Sequence, residues 1–543
     1  MASLRDTITS LPATLAGFLS RGGRAVSELV TGQSSKPLWP PVSENARRLR
    51  YERNALVYAG RHDRVFTRYL LDDKGVPVES RDKLVAVEGE DFHFTRDPKR
   101  PYIVCNLCSR TSDLLAERAF AEGVQVGTPE GADADAAVLA MVAAMNNLRS
   151  LHLLACVGAS WRGDSMYEVS YEAATQRILV SLVDPAICFP ETHPLDTTRA
   201  LAWNIDQLLT AGRDTYYLWR KRHELRDGIG WVLNKLYRLT KDGQGYHVDF
   251  ATDEVPLETH PTTALLAGQE ETNTGVRGLL VVHVPNRPNP MALWGTSDYS
   301  FDLLSLQGEI DNRLTQRSDV LDKFVEPWQY GPDLADEKGA VNARAKYIPV
   351  PPDASAPIGV VTWDAQLGAV EAALKDCREA FAMTAGIDTA SLTPREAGSA
   401  PASGRALRLE QMNTGDSARQ KQSDFEAPLK QLYAIITQLA AQPNHPVAGV
   451  SGRPRGLDPS EITLTFGDGL PSMSIEDAEE QALLLENGLT ERAAALKVLH
   501  GLSDAAAEEM AARIEGKQGG LPAVPQVAFG SGIRRIGAQT GAE

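Results

Sequence analysis

From Tyr299 to Val325 the apolar residues Leu303, Leu306, Ile310, Leu314, Leu321 and Phe324 recur at steps of three and four, with Arg317 filling the remaining place in the stripe. This period predicts an amphipathic helix of about 26 residues, a rod of roughly 39 Å. Its polar face carries Glu309, Asp311, Arg313, Asp319, Asp322 and Lys323, a mixture that makes neither a basic DNA clamp nor a uniform acidic wall. A second stripe (Leu367, Val370, Leu374, Cys377, Phe381) stops at Gly386. A third rod runs from Arg405 to Ala441, with Phe425, Leu429, Leu432, Ile436 and Leu439 in its second half and Gly415 in its polar first half, where a kink is expected. Residues 326–362, between the first two rods, are irregular and Pro-rich around short strands such as Ala345-Lys346-Tyr347-Ile348. Residues Asp388 to Ser403, between the second and third, hold Pro394, Gly398 and Pro401 and cannot continue a helix. They read as a mobile loop.

Upstream of the rods, helical patterns dominate from Glu44 to Gly123, with Ala46–Tyr58 ending at Gly60 and Asn106–Glu122 ending at Gly123. From Leu151 to Val284 the period shifts towards two, predicting strands at Met166–Tyr171, Arg177–Val183 and Gly278–Val284. A hairpin is expected from Trp231–Leu239 and Tyr246–Phe250 around Lys241-Asp242-Gly243-Gln244-Gly245, with Asp-Gly supplying the positive φ. The Pro-rich exit Lys36–Pro41 reads as a loosely attached arm. After a strand-like Glu461–Phe466, three short helices are expected, with N-caps at Ser474 (with Asp477), Thr490 and Ser503 and stops at Gly488, Gly501 and Gly516.

Composition narrows the chemistry. The 543 residues carry a formal charge of −16, which argues against gripping nucleic acid through its phosphates. Five cysteines (Cys105, Cys108, Cys156, Cys188, Cys377) argue against a disulfide framework and for a reducing compartment. The Cys105–Cys108 pair lacks a second half for zinc and reads as half-buried thiols at a helix start. Asp133 and Asp135 fit a helix start better than a metal, and His223-Glu224 beside Arg220, Lys221 and Arg222 reads as a solvated charged segment. There is no P-loop, dinucleotide fingerprint, HExxH, GxSxG or kinase set, and no cofactor or metal site is expected. No run reaches the length of a membrane span. On these grounds an enzyme is disfavoured.

The order rod, Pro-rich insert, rod, small-residue loop, rod and helical C-terminus resembles the portal proteins of tailed bacteriophages. Trp294-Gly295-Thr296-Ser297-Asp298, leading into Leu304–Asp311, is similar to the entry and "IDxxL" first stem helix of that family. Gly386-Ile387-Asp388, then Ser403-Gly404-Arg405-Ala406-Leu407-Arg408-Leu409 followed by Arg419-Gln420-Lys421-Gln422 and Phe425, is similar to its tunnel-loop region and "SGxALRL" helix. Tyr58-Ala59-Gly60-Arg61-His62 resembles its "YxGxH" opening, Val183-Asp184-Pro185 the end of a wing strand, and Asp477–Ile514 its crown helices.

The resemblance implies an α+β subunit divided into an arm (1–43), wing (44–290), first stem helix (291–325), clip (326–362), second stem helix (363–387), tunnel loop (388–404), a long kinked helix returning to the wing (405–470), crown (471–516) and a disordered tail (517–543). It further implies a non-enzymatic dodecameric ring at one capsid vertex, assembled in the host cytoplasm, through which double-stranded DNA is packaged, retained and ejected. The implied partners are the large terminase subunit and head-completion adaptors at the clip, and the major capsid protein and scaffold at the wing; no membrane is involved. The resemblance places DNA-channel contacts at Thr389, Ser391, Thr393, Arg395, Glu396, Ser399, Ser403, Arg405 and Arg408, and motor docking at Trp328, Tyr330, Asp333, Asp336, Glu337, Lys338, Arg344, Lys346 and Tyr347. Another virion head or tail component, or less readily a multi-domain enzyme, is the alternative.

Overall fold

The computed structural model describes residues 36–72, 74, 76–79, 87, 90, 92, 94–96, 102–325, 328–332, 347–350, 359–361, 367–392, 411–450, 452–467, 474–500 and 504–518. The fold is mixed α+β and divides into two units, residues 1–401 with 408–470, and residues 402–407 with 471–543.

The first unit opens with a two-residue strand β1 (Leu38–Trp39) and helix α1 (Asn45–Tyr58). The arm's exit is therefore not loose. β1 pairs with β12 (Tyr246–His247), Trp39 is buried, and its indole N–H donates to Asp206 at 2.9 Å. The stretch to Gly123 also holds strands. β2 (Thr67–Leu71) pairs with β3 (Pro77–Glu79) and β4 (Phe94–Arg96) before α2 (Leu107–Phe120) begins, its first turn capped where the Asn106 side chain accepts from Ser109 N–H. Gly60 and Gly123 take positive φ, as expected of helix stops.

After β5 (Val124–Gly127), α3 (Asp133–Asn146) and α4 (Leu148–Arg162) pack into the interior. Leu151–Arg162 is thus helix, not strand; His152, Ala155, Cys156 and Ala159 lie buried at helical spacing, so the period of two begins only at β6. Strands β6 (Asp164–Glu172) and β7 (Arg177–Val183) fall on two of the expected strand segments and pair antiparallel, and β15 (Val281–Pro285) completes their sheet.

The larger sheet runs β1-β12-β11-β10-β9-β8, with β8 (Cys188–His193), β9 (Asp196–Ala211), β10 (Thr215–Arg226) and β11 (Ile229–Lys241), while β13 (Glu254–Val255) and β14 (Glu271–Asn273) pair with β11. The turn after β11 works differently from expectation: Gly245, not Gly243, carries positive φ, and the Asp242 side chain accepts the N–H groups of Gln244 and Gly245. Phe250 lies outside β12, which stops at His247.

The charged segment 220–224 is the main correction. It is the middle of β10, paired on both edges. Arg220 meets Asp206 at 2.7 Å, Lys221 meets Glu168 at 2.8 Å, and buried His223 lies 3.3 Å from Glu168. Burial pushes the Glu168 carboxyl up, yet His223 and Lys221 outweigh it and hold it at about 2. Paired charges sit in an interior strand where a charge run alone reads as solvent-facing.

Three long helices follow. They are α5 (Phe301–Val325), α6 (Leu367–Ala385) and α7 (Met412–Ala440). α7 runs on through Gly415 and also contains Pro428. From Leu432 to Ala440 every residue of α7 is buried, as for a helix at the centre of a core rather than on its surface. Phe425 packs on Phe120 with ring centroids 5.0 Å apart. Strand β19 (Thr463–Phe466) then pairs with β5.

In the second unit, α8 (Ser474–Glu486), α9 (Arg492–His500) and α10 (Asp504–Gln518) pack in sequence order. Gly488 takes positive φ after α8, whereas Gly516 lies inside α10 and does not stop it. Gly501 and Ser503, the arm before Lys36 and the tail after Gln518 lie outside the described residues.

Candidate functional site

α5 and α6 form an antiparallel hairpin. Arg317 pairs with Glu371 at 3.1 Å, and Cys377 lies near Glu309 and Arg313, so residue numbers rise on one helix as they fall on the other. At the base of the hairpin Leu303, Leu304, Ile310, Phe381 and Ala382 are buried in the central core. Gln307 and Asp311 are fully buried there as well. Asp311 is therefore not solvated: its carboxylate accepts Cys105 N–H at 2.9 Å and Gln307 Nε2–H at 3.0 Å, and it pairs with buried His62. Gln307 in turn accepts the N–H groups of Leu107 and Cys108, donor groups of the α2 start. The base of α5 is thus fixed to the α1–α2 region by hydrogen bonds that the stripe does not reveal.

Away from the base the same helices are only partly covered. Residues 312–320 of α5 are half-buried or exposed, Leu321 is 41% exposed, and on α6 Gly368, Ala369, Glu371 and Ala372 are exposed. Between the two helices lies a small sheet of order β17-β16-β18, formed by β16 (Trp328–Pro332), β17 (Tyr347–Val350) and β18 (Gly359–Val361). Of the nine docking residues, Trp328 and Tyr330 stand on β16 and Tyr347 on β17, where Gln329 registers with Tyr347, Tyr330 with Ile348, and Trp328 with Val361. Asp333, Asp336, Glu337, Lys338, Arg344 and Lys346 lie outside the described residues.

The segment joining α6 to α7 has its feet held together. Gly386 takes positive φ, and its carbonyl accepts Ser417 Oγ–H at 2.6 Å. Asp388 accepts the N–H and the hydroxyl of Thr414, each at 2.9 Å, and Asn413 Nδ2–H at 2.8 Å. Ser391 Oγ lies 3.2 Å from Thr414 Oγ1. The carboxylate thus satisfies a donor in the first turn of α7 from outside that helix, as an N-cap side chain does from within. Thr389 and Ser391 form a single 3₁₀ turn at this base, Thr389 exposed and Ser391 half-buried. Thr393, Arg395, Glu396, Ser399, Ser403, Arg405 and Arg408 lie outside the described residues.

Behind the clamp, Lys421 of α7 enters the interior and pairs with buried Asp298, three residues ahead of α5. The entry segment is tightly built there. A Cβ on Gly295 would lie 2.4 Å from Gly163 O and 2.5 Å from Asn286 O. Three polar anchors (Asp311, Asp388, Lys421) therefore organise the helices; each stands in a segment that resembles a portal motif, but the apolar stripes do not mark its buried role.

The remaining candidates take structural roles. Cys105 is half-buried and Cys108 buried beside the α2 start, burial pushes both thiols up, and all five cysteines are free. Asp135 is buried and accepts the N–H groups of Arg455 and Gly456 at 3.1 and 3.0 Å. Among the described residues no acidic, His or Cys cluster could hold a metal ion, and no single helix is long and apolar enough to cross a membrane. No family model matches the chain, and no curated protein matches it.

Proposed function

We propose that the chain is the subunit of a portal ring, a structural conduit through which double-stranded DNA enters and leaves a phage capsid. The observation that carries this reading is the α5–α6 hairpin, anchored at its base and only partly covered beyond it, with a small sheet in its connection and a clamped loop directly after it. Helical faces left open by one chain are the faces that neighbouring copies of a closed ring would cover. In this reading the rods wall the channel, the loop from 388 to 404 faces DNA, and the sheet at 326–362 presents the surface for the large terminase subunit and later for head-completion adaptors. Residues 44–290 would meet the capsid protein and scaffold. ATP hydrolysis belongs to the motor, not to this chain. The charge of −16 suits a wall along which phosphates slide without being held.

Electron microscopy of the purified protein tests the reading. The expected particle is a closed ring with a central channel. A monodisperse monomer under all assembly conditions, with partners present, overturns it.

A further inference from the structure

Between β15 and α7 lies a buried constellation for which the conduit reading has no use. Lys421 is 3% exposed, Asn286 0% and Asp298 8%. Lys421 Nζ donates to Asp298 Oδ2 at 2.5 Å and to the side-chain oxygen of Asn286. Asn286 Nδ2 donates to Asp298 Oδ1 at 3.1 Å and to Thr296 O at 2.7 Å. The Asn286 backbone is held on both sides, its N–H donating to Gly163 O at 2.8 Å and its carbonyl accepting Thr296 N–H at 2.7 Å. One carboxylate thus touches both the lysine amine and the nitrogen of a neighbouring carboxamide. Arg287 reaches the same carboxylate at 3.0 Å from the solvent side.

We propose that Lys421 and Asn286 join in an intramolecular isopeptide bond, with Asp298 as the catalytic residue. Burial works against the Asp298 charge, but Lys421 and Arg287 outweigh it and hold the carboxyl below its usual range, so the resting state is an ion pair. The first step is transfer of a lysine proton to Asp298 Oδ2, which removes two opposite charges from a poorly solvated site. The neutral Nζ, which already touches the side-chain oxygen of Asn286, then attacks Asn286 Cγ. Asp298, hydrogen-bonded to Nδ2 through its other oxygen, delivers a proton to the departing nitrogen. The Nζ–Cγ bond forms and the Cγ–Nδ2 bond breaks. Lysine gives up two protons: one leaves on ammonia, and the other stays on Asp298 or departs with it as ammonium. No oxidant or co-reactant is required.

The bond would tie the end of β15 to the middle of α7 across a separation of 135 residues. It would fasten the helix that carries the loop clamp to the segment that launches α5. A non-covalent ion pair is the competing description, and mass spectrometry separates the two.

The test is the intact mass and tryptic map of the purified full chain, with D298N, N286A and K421R alongside. The expected mass falls short of the sequence mass by one ammonia. A branched peptide should contain Lys421 and Asn286, trypsin should fail to cut after Lys421, and each variant should regain the full set of linear peptides. A full-mass wild type with linear peptides and normal cleavage at Lys421 overturns the proposal. So does loss of ammonia without a branched peptide, which marks a succinimide, or loss of water with a Lys421–Asp298 branch.

Discussion

The two halves of α5 share one hydrophobic period and have opposite surroundings. From Leu303 to Asp311, Leu303, Leu304 and Ile310 are buried, Leu306 is half-buried, and even the polar Gln307 and Asp311 are fully enclosed. From Asn312 to Asp322 none of the residues is buried, and Leu321 lies exposed. Periodicity reports that a face will be covered but not by what. The base is covered by this chain's own α2 and α6 and by His62, Phe66 and Phe94; in the portal reading, the far half is covered by the next subunit.

The largest expected effect comes from breaking the base. Asp311→Ala leaves Cys105 N–H, Gln307 and His62 without their shared acceptor. It should lower folding stability by about 3 kcal/mol or more, read as a fall in denaturant midpoint.

Acid should loosen the same core by a similar amount. His152 lies between the hydroxyls of Tyr167 and Tyr433, and burial lowers its pKa from 6.5 to about 4. The native state therefore binds fewer protons than the unfolded chain between those values. Its contribution is present above pH 6.5 and is lost as the pH falls to about 4, a loss of about 3 kcal/mol. His152→Gln should remove that segment of the stability-against-pH curve.

Asp388→Ala, which frees the loop's feet, should cost about 1 kcal/mol, the scale of a lost helix cap. Deleting Thr389 to Ala402 should leave ring assembly intact and impair packaging or DNA retention. Normal packaging by that deletion would remove the loop's assigned role. The smallest folding effect is expected at the far half. Leu321→Glu should change the stability of the isolated chain by no more than about 0.5 kcal/mol while reducing assembly, measured by light scattering.

Much of the architecture is legible in the residues. Stripes place α5, α6 and α7 to within a few residues, the part of the third rod before Gln411 lying outside the described residues, and alternation places β6, β7 and β15. What is not legible depends on partners distant in sequence. The Arg220–Glu224 run reads as solvated because Asp206 and Glu168, which neutralise it, lie on other strands. Asp311 reads as surface because its partners come from residues 62 and 105. Trp39 reads as part of a loose arm because its strand partner is 207 residues away, at Tyr246. Of the channel residues, Thr389 and Ser391 fall at the clamped base of the loop. The basic ones, Arg395, Arg405 and Arg408, lie outside the described residues.

Hydroxyl-radical footprinting of α5 in assembled and dissociated protein tests the central claim most directly. Leu321 should lose reactivity on assembly, while Leu303 and Leu304 stay protected in both states. Equal reactivity of Leu321 in the two states would contradict the account.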